Sequence, residues 1–335
     1  MEAYFDNSAT TRVLDSVMDI VTRTMTVDYA NPAAKHIRGM EAENYIRDAR
    51  SIIAKTLKVA DKEILFTSGG SESNNMALIG TAMANKRAGM HIISTNVEHA
   101  SIYNTLGFLQ EQGFEITYLP VDHNGHIDLD QLREAVRPDT ILVSVMYVNN
   151  EVGSVEPVAE ISRVIKAKNP STIFHVDAIQ AYGKYEIRPK KEGIDLLSVS
   201  GHKIHGPKGV GFLYIDEKVK IKPLIYGGGQ QAGMRSGTEN VPGIVGFGKA
   251  AEIAAANMEE RIKYESELRD YLMDRVIAEI PYARINGSRE NRLPNNANFS
   301  FQFIEGESML IMLDDKGICG SSGSACTSGS LDPSH

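Results

Sequence analysis

Tryptophan is absent from this 335-residue chain, and cysteine occurs only twice, at Cys319 and Cys326. Two cysteines cannot build a disulfide framework, and their C-x₆-C spacing is not a zinc-ligand pattern. No run of about 18 apolar residues exists, so no transmembrane helix is expected. The N-terminus, MEAYFDNSATTRV, is acidic and polar where a secretory signal would be basic and then apolar. An excess of positive charge is missing too. The 35 Lys and Arg against 43 Asp and Glu leave a net charge of −8, which argues against nucleic acid or an anionic membrane as partner. Internal repeats and low-complexity tracts are also lacking. The expected compartment is a reducing cytoplasm, where thiols stay free.

What is present fits a soluble globular protein. Hydrophobic residues make up 42% of the chain and charged residues 23%. Short apolar runs alternate with helical periodicity. EILFT (63–67), HIIST (91–95), EITYL (115–119), TILVSVMYV (140–148), TIFHVDA (172–178), DLLSVS (195–200) and VGFLYI (210–215) read as strands. Residues 40–57, 101–112 and 157–168 read as helices, as does DLDQLREAV, with Asp128 near its start. Strands this apolar, separated by helices, predict an α/β sheet covered on both faces. The texture changes near residue 245. One long helix over 243–280, then NANFSFQFI and GESMLIML, predicts a smaller α+β unit. We therefore expect a large domain over 15–245 and a small one formed by 1–14 and 246–335.

Three stretches carry chemistry. TSGGSESNN (67–75) runs from a strand through two glycines to a helix start, which describes either an anion cup or an ordinary turn with a serine cap. In HVDAIQAYGK (175–184), Asp177 ends a strand, where it can pair with a cationic nitrogen or simply cap a helix; Gln180 follows. In SVSGHKIHGPKGVG (198–211), Lys203 lies between His202 and His205. Burial or neighbouring cations would make it nucleophilic. The H-x-x-H pair has no flanking acid or thiol, so a metal is not expected. The GPKGVG glycines precede a strand, the wrong context for a dinucleotide loop. In this order on an α/β sheet, a phosphate cup, a strand-end Asp and a loop Lys are the parts of a pyridoxal 5′-phosphate (PLP) site.

Further motifs sharpen the reading: YFDNSATT (4–11), VEHAS (97–101), VNNEVG (148–153), GGGQQAGMRSGTENV (227–241) and SSGSACTSGS (321–330). With these, the whole chain resembles the NifS/IscS-type cysteine desulfurases of the class V aminotransferase group, which are fold-type-I PLP enzymes. The resemblance implies a mostly parallel seven-stranded sheet. It implies that Lys203 holds the cofactor as a Schiff base, that Asp177 pairs with the ring nitrogen, and that Gln180 pairs with the ring hydroxyl. His99 would stack on the ring. Gly70, Ser71, Ser200 and His202 would hold the phosphate. Thr238 would reach the phosphate of the other subunit of a homodimer, and Asn150 would border the substrate carboxylate.

Cys326 stands among small polar residues that offer it nothing to pack against. The resemblance makes it the nucleophile that takes sulfur from L-cysteine as a persulfide, leaving L-alanine, with delivery to an acceptor such as an iron–sulfur cluster scaffold. Cys319, after the apolar MLIML run, reads as structural. The family pattern continues past GSLDPSH with an arginine for the substrate carboxylate, and no residue here matches it. The small domain is therefore expected to be incomplete at its C-terminal side. The competing readings are a selenocysteine lyase or other class V enzyme, a catalytically silent scaffold, and a cofactor-free binding module.

Overall fold

The computed structural model describes residues 2–323. In chain order the strands are β1 (Ala3–Tyr4), β2 (Ile64–Thr67), β3 (His91–Thr95), β4 (Glu115–Leu119), β5 (Thr140–Met146), β6 (Ile173–Asp177), β7 (Leu196–Ser200), β8 (Gly211–Ile215), β9 (Ala283–Ile285), β10 (Phe299–Phe301) and β11 (Ile318–Cys319). The helices are α1 (Asp15–Thr26), α2 (Ile37–Leu57), α3 (Gly70–Asn85), α4 (Ala100–Glu111), α5 (Leu129–Ala135), α6 (Val158–Lys168), α7 (Pro189–Glu192), α8 (Val241–Ala256), α9 (Met258–Glu279) and α10 (Gly306–Asp315). The central sheet has seven strands in the order β2-β8-β7-β6-β5-β3-β4. Only β8 runs against its neighbours.

Both faces of the sheet are covered, as its apolar strands require. All seven residues of β5 are buried. Alternation along β8 shows how the two faces are served: Phe212 and Tyr214 join one apolar cluster, while Leu213 joins the other. Met76 and Leu78 of α3 and Leu106 of α4 pack with Leu213. Ile53 of α2, Ile161 of α6 and Phe247 of α8 belong to the opposite cluster.

The expected single helix over 243–280 is instead two. α8 ends at Ala256 and α9 begins at Met258, with Asn257 at φ −112°, ψ 15° between them. Asparagine is a poor helix-interior residue because its side chain competes for backbone partners. Here its Nδ2 donates to the Ile253 carbonyl at 3.2 Å. The break also falls where composition shifts: α8 buries ten residues, while α9 buries only Met273.

Beyond α9, β9 and β10 form an antiparallel pair, and β11 pairs in parallel with β1. The last described turn thereby returns to the N-terminal segment, where Ser321 Oγ donates to Asp6 Oδ1 at 2.6 Å.

Candidate active site

Parallel strands end together, so loops from distant parts of the sequence meet at one edge of the sheet. β2 joins that edge because it is antiparallel to β8, which is antiparallel to β7. Asp177 closes β6 and Ser200 closes β7. Lys203 follows in a single 3₁₀ turn, Gly201–Lys203. His99 caps α4 just after β3, Asn150 follows β5, and Gly70 opens α3 after β2. These residues, with Ser71, Gln180 and His202, line one cleft of about 170 Å³. Nine of the eleven residues singled out from sequence are thus brought together. Thr238 is exposed and does not line this cleft. Cys326 lies outside the described residues.

The floor of the cleft is Asp177, only 5% exposed. Its Oδ1 accepts the Ile179 N–H at 3.0 Å and its Oδ2 accepts Asn74 Nδ2 at 2.8 Å. Burial pushes its pKa above the ordinary carboxylate range, against the opposing pull of these two hydrogen bonds and of His99 and Lys203. A carboxylate held this deep is an acceptor suited to a cationic N–H.

Lys203 is 5% exposed. Its Nζ donates to the carbonyl of Ser8, and to that of Ala9 at 2.9 Å. The same Ser8 carbonyl accepts Gln180 Nε2 at 3.1 Å. The YFDNSATT segment therefore presents backbone oxygens to the lysine across almost 200 residues of chain.

His99 accepts the Ser101 N–H on Nδ1 at 3.1 Å, and its Nδ1 also meets Ser101 Oγ at 2.8 Å. That acceptor role leaves Nε2 as the nitrogen carrying the proton in the neutral ring. His202, whose pKa burial and then Lys203 and Lys208 push down to about 4, is a neutral wall residue near neutral pH.

At the other end of the cleft the chain turns at Gly69, with φ +148°, into the first turn of α3. The N-terminus of a 16-residue helix presents N–H groups and a positive dipole end beside Ser71 and Ser200. Arg235 ties the 227–241 loop to this corner through Glu72, Nε to Oε1 at 3.0 Å.

Sequence reasoning passed over several supporting groups. Asn74 is fully buried and bonds both Asp177 and Ser101 Oγ, the latter at 2.9 Å. Its signal was available: two asparagines inside a helix are unfavourable unless something else holds them. Glu98 is buried with Oε1 accepting Met146 N–H at 2.8 Å and Thr95 Oγ1 at 2.9 Å. Burial first, then Asp177, raises its pKa to about 8. Nothing local to the sequence distinguishes Glu98 from a surface glutamate.

The fold and this donor set define an α/β protein whose strand-end cleft suits a ligand carrying both a phosphate and a cationic N–H. The sequence model of "Aminotransferase class-V" matches residues 3–335. Cysteine desulfurase IscS of Dictyoglomus turgidum is 48% identical over 334 residues, spanning 100% of this chain and 84% of that protein. The IscS of Methanosarcina thermophila is also 48% identical, over 99% of this chain and 81% of its own length. Among solved structures, a NifS-like protein superposes with a TM-score of 0.94 at 42% identity, covering 96% of this chain and 88% of the other. SspA in complex with cysteine gives 0.85 at 36% identity, with coverage of 99% and 92%. The chain belongs to the class-V aminotransferase family, in its NifS/IscS-like cysteine desulfurase group. The cofactor of that family is PLP. The cleft suits it chemically: a buried carboxylate for a ring N–H, an amine, and a helix N-terminus with flanking hydroxyls for a phosphate.

Proposed function

We propose that this chain is a PLP-dependent cysteine desulfurase that converts L-cysteine to L-alanine and takes the sulfur onto Cys326. The observation that carries the reading is the meeting of Lys203, Asp177, Gln180, His99 and Asn150 in one cleft beside the α3 N-terminus. When bound, PLP supplies an electron sink that labilises bonds around the substrate's α carbon.

The chain's own residues do the rest. Lys203 would anchor the cofactor, and Asp177 would keep its ring nitrogen protonated. Gln180 would pair with the ring oxygen, and His99 would lie against the ring and carry a proton at Nε2. Gly70, Ser71, Ser200 and His202 would hold the phosphate, and Asn150 would orient the substrate carboxylate. The thiolate of Cys326 attacks the substrate sulfur. One S–S bond forms as the substrate C–S bond breaks, and the carbon gains a proton, giving alanine and a persulfide. Ser321 opens the SSGSACTSG stretch and is bonded to Asp6, two residues before the Ser8 carbonyl that receives Lys203. This supports placing Ser321, where that stretch begins, near the segment that contacts Lys203.

The finer assignments follow the same reading. Thr238, exposed on the 227–241 loop, reaches the phosphate of a second subunit, so the active form is a homodimer. The persulfide passes to an acceptor protein of iron–sulfur cluster assembly in the cytoplasm. Among the described residues, no helix is long and apolar enough to cross a membrane. Residues 15–256 form the cofactor domain, extended past the expected 245 because Phe247 and Ala254 of α8 pack in the sheet's apolar cluster, and 1–14 with 257–335 form the small domain.

The test is the visible absorption spectrum of purified protein given PLP, before and after L-cysteine. Wild-type protein shows the band of lysine-bound cofactor and loses or shifts it on adding L-cysteine, with alanine released. Lys203→Ala binds PLP without that band. Absence of a band in wild-type protein at saturating PLP overturns the proposal. A band with turnover that persists in Cys326→Ser refutes the assignment of the sulfur acceptor.

A further inference from the structure

Lys184 has no part in the site described so far, yet it is a buried lysine next to it. It is 6% exposed and sits in the turn after Gln180, its N–H bonded to the Ala181 carbonyl at 2.9 Å. Its Nζ donates to Gln180 Oε1 at 3.4 Å. An ammonium has three donors and no acceptor, so it can meet only the oxygen of that amide. The amide nitrogen is thereby turned the other way, towards the Ser8 carbonyl at 3.1 Å and the cleft that Gln180 lines. Lys184 and the Ser8 carbonyl thus select the same amide orientation from its two ends, one by donating to Oε1 and the other by accepting from Nε2.

The surroundings keep Lys184 in this task. Glu265, Arg261 and Arg269 of α9, Lys203 and His205 from the turn after β7, and Tyr4 of β1 line the same second cavity as Lys184, about 560 Å³ in volume. Arg261 donates to the Gly183 carbonyl, and Glu265 Oε2 is buried without a hydrogen-bond partner. Burial lowers the Lys184 ammonium to about 7; Lys203 and Arg261 push the same way, and Glu265 opposes them.

We propose that Lys184 is a positioning residue that fixes Gln180 as a hydrogen-bond donor towards the cofactor ring. The inference rests on the PLP reading only for its consequence. The Lys184–Gln180 link itself belongs to the chain, and the experiment separates the two.

In the cofactor-free protein, glutamine-labelled NMR, assigned with Gln180→Ala, follows the Gln180 side-chain NH₂. In wild type this resonance titrates with Lys184 near neutral pH. In Lys184→Met it is flat, and in Lys184→Arg it stays at the wild-type acid-limit position. A Gln180 side-chain resonance that Lys184→Met leaves in its wild-type position, or a wild-type titration that Lys184→Met retains, overturns the link whether or not PLP binds.

In PLP-loaded protein, the pH midpoint of the visible absorption change moves up by about half a unit or more in Lys184→Met. It returns towards wild type in Lys184→Arg. The shift vanishes when Gln180 is already alanine, because the effect passes through that amide. An equal shift in the Gln180→Ala background, or one that Lys184→Arg shares in full, overturns the positioning role.

Discussion

Gly211 offers a sharp test of how the anion corner is built. It opens β8 and stands in register between Thr67 of β2 and Ser200 of β7. A Cβ there would lie 2.6 Å from the Val199 carbonyl oxygen, 2.8 Å from Gly69 Cα and 2.9 Å from Gly69 C. All three are backbone atoms, so no side-chain rotation relieves the clash. β7 is braced on its far side by β6 and cannot retreat. The yielding element is the Gly69–Gly70 turn, which aims the α3 N-terminus. Forcing a methyl group into packed surroundings costs about 1–3 kcal/mol. If half of the upper figure falls on the aim of the helix, phosphate-group affinity drops about tenfold. Gly211→Ala is therefore expected to lower the urea midpoint and to weaken PLP binding in a spectrophotometric titration. Gly107→Ala is the control. It lies inside α4 with nothing within 4 Å of its added Cβ. It should stabilise by about 1 kcal/mol and leave PLP binding alone. Wild-type stability and an unchanged PLP dissociation constant in Gly211→Ala would refute the account of the cup.

Other expectations follow from the buried polar groups. Glu98 and Glu156 both have their pKa raised by burial to about 8, from an ordinary 4.5. The folded chain keeps protons there that the unfolded chain releases, so stability falls as pH rises through that interval and the fall ends near 8. Urea midpoints measured from pH 5 to 8.5 should decline, and the decline should flatten in the Glu98→Gln, Glu156→Gln double variant. His175, which burial lowers to about 3 while it bonds Ser144 and Ser198 in the sheet, works in the opposite direction. Its contribution is present above about 6.5 and is lost as pH falls towards 3. Asn74→Ala removes the donor from Asp177 Oδ2. It should cost about 1–3 kcal/mol of stability and lower kcat more than it raises KM; an unchanged kcat would show that Asp177 needs no such support.

Much of this architecture was legible locally. HIIST and EITYL are strands over the residues expected, Asp128 caps α5 through the Asp130 N–H at 2.7 Å, and Gly69-Gly70 opens a helix. These features obey short-range rules of periodicity, propensity and capping. The misreading at Asn257 shows the limit. A helical pattern crossed a residue whose side chain preferred a backbone carbonyl, and one helix became two.

The sequence by itself determined the repertoire: apolar strands, helix starts, a strand-end Asp177, a loop Lys203 and a thiol among small residues. Tertiary structure decided which groups touch. Asn74 meets Asp177 across 103 positions, Lys203 meets the Ser8 carbonyl across 195, and Gln180 joins them across 172. No local signal encodes such contacts. They arise because burying both faces of one sheet forces its strand order, and the strand order brings the loops to a common edge.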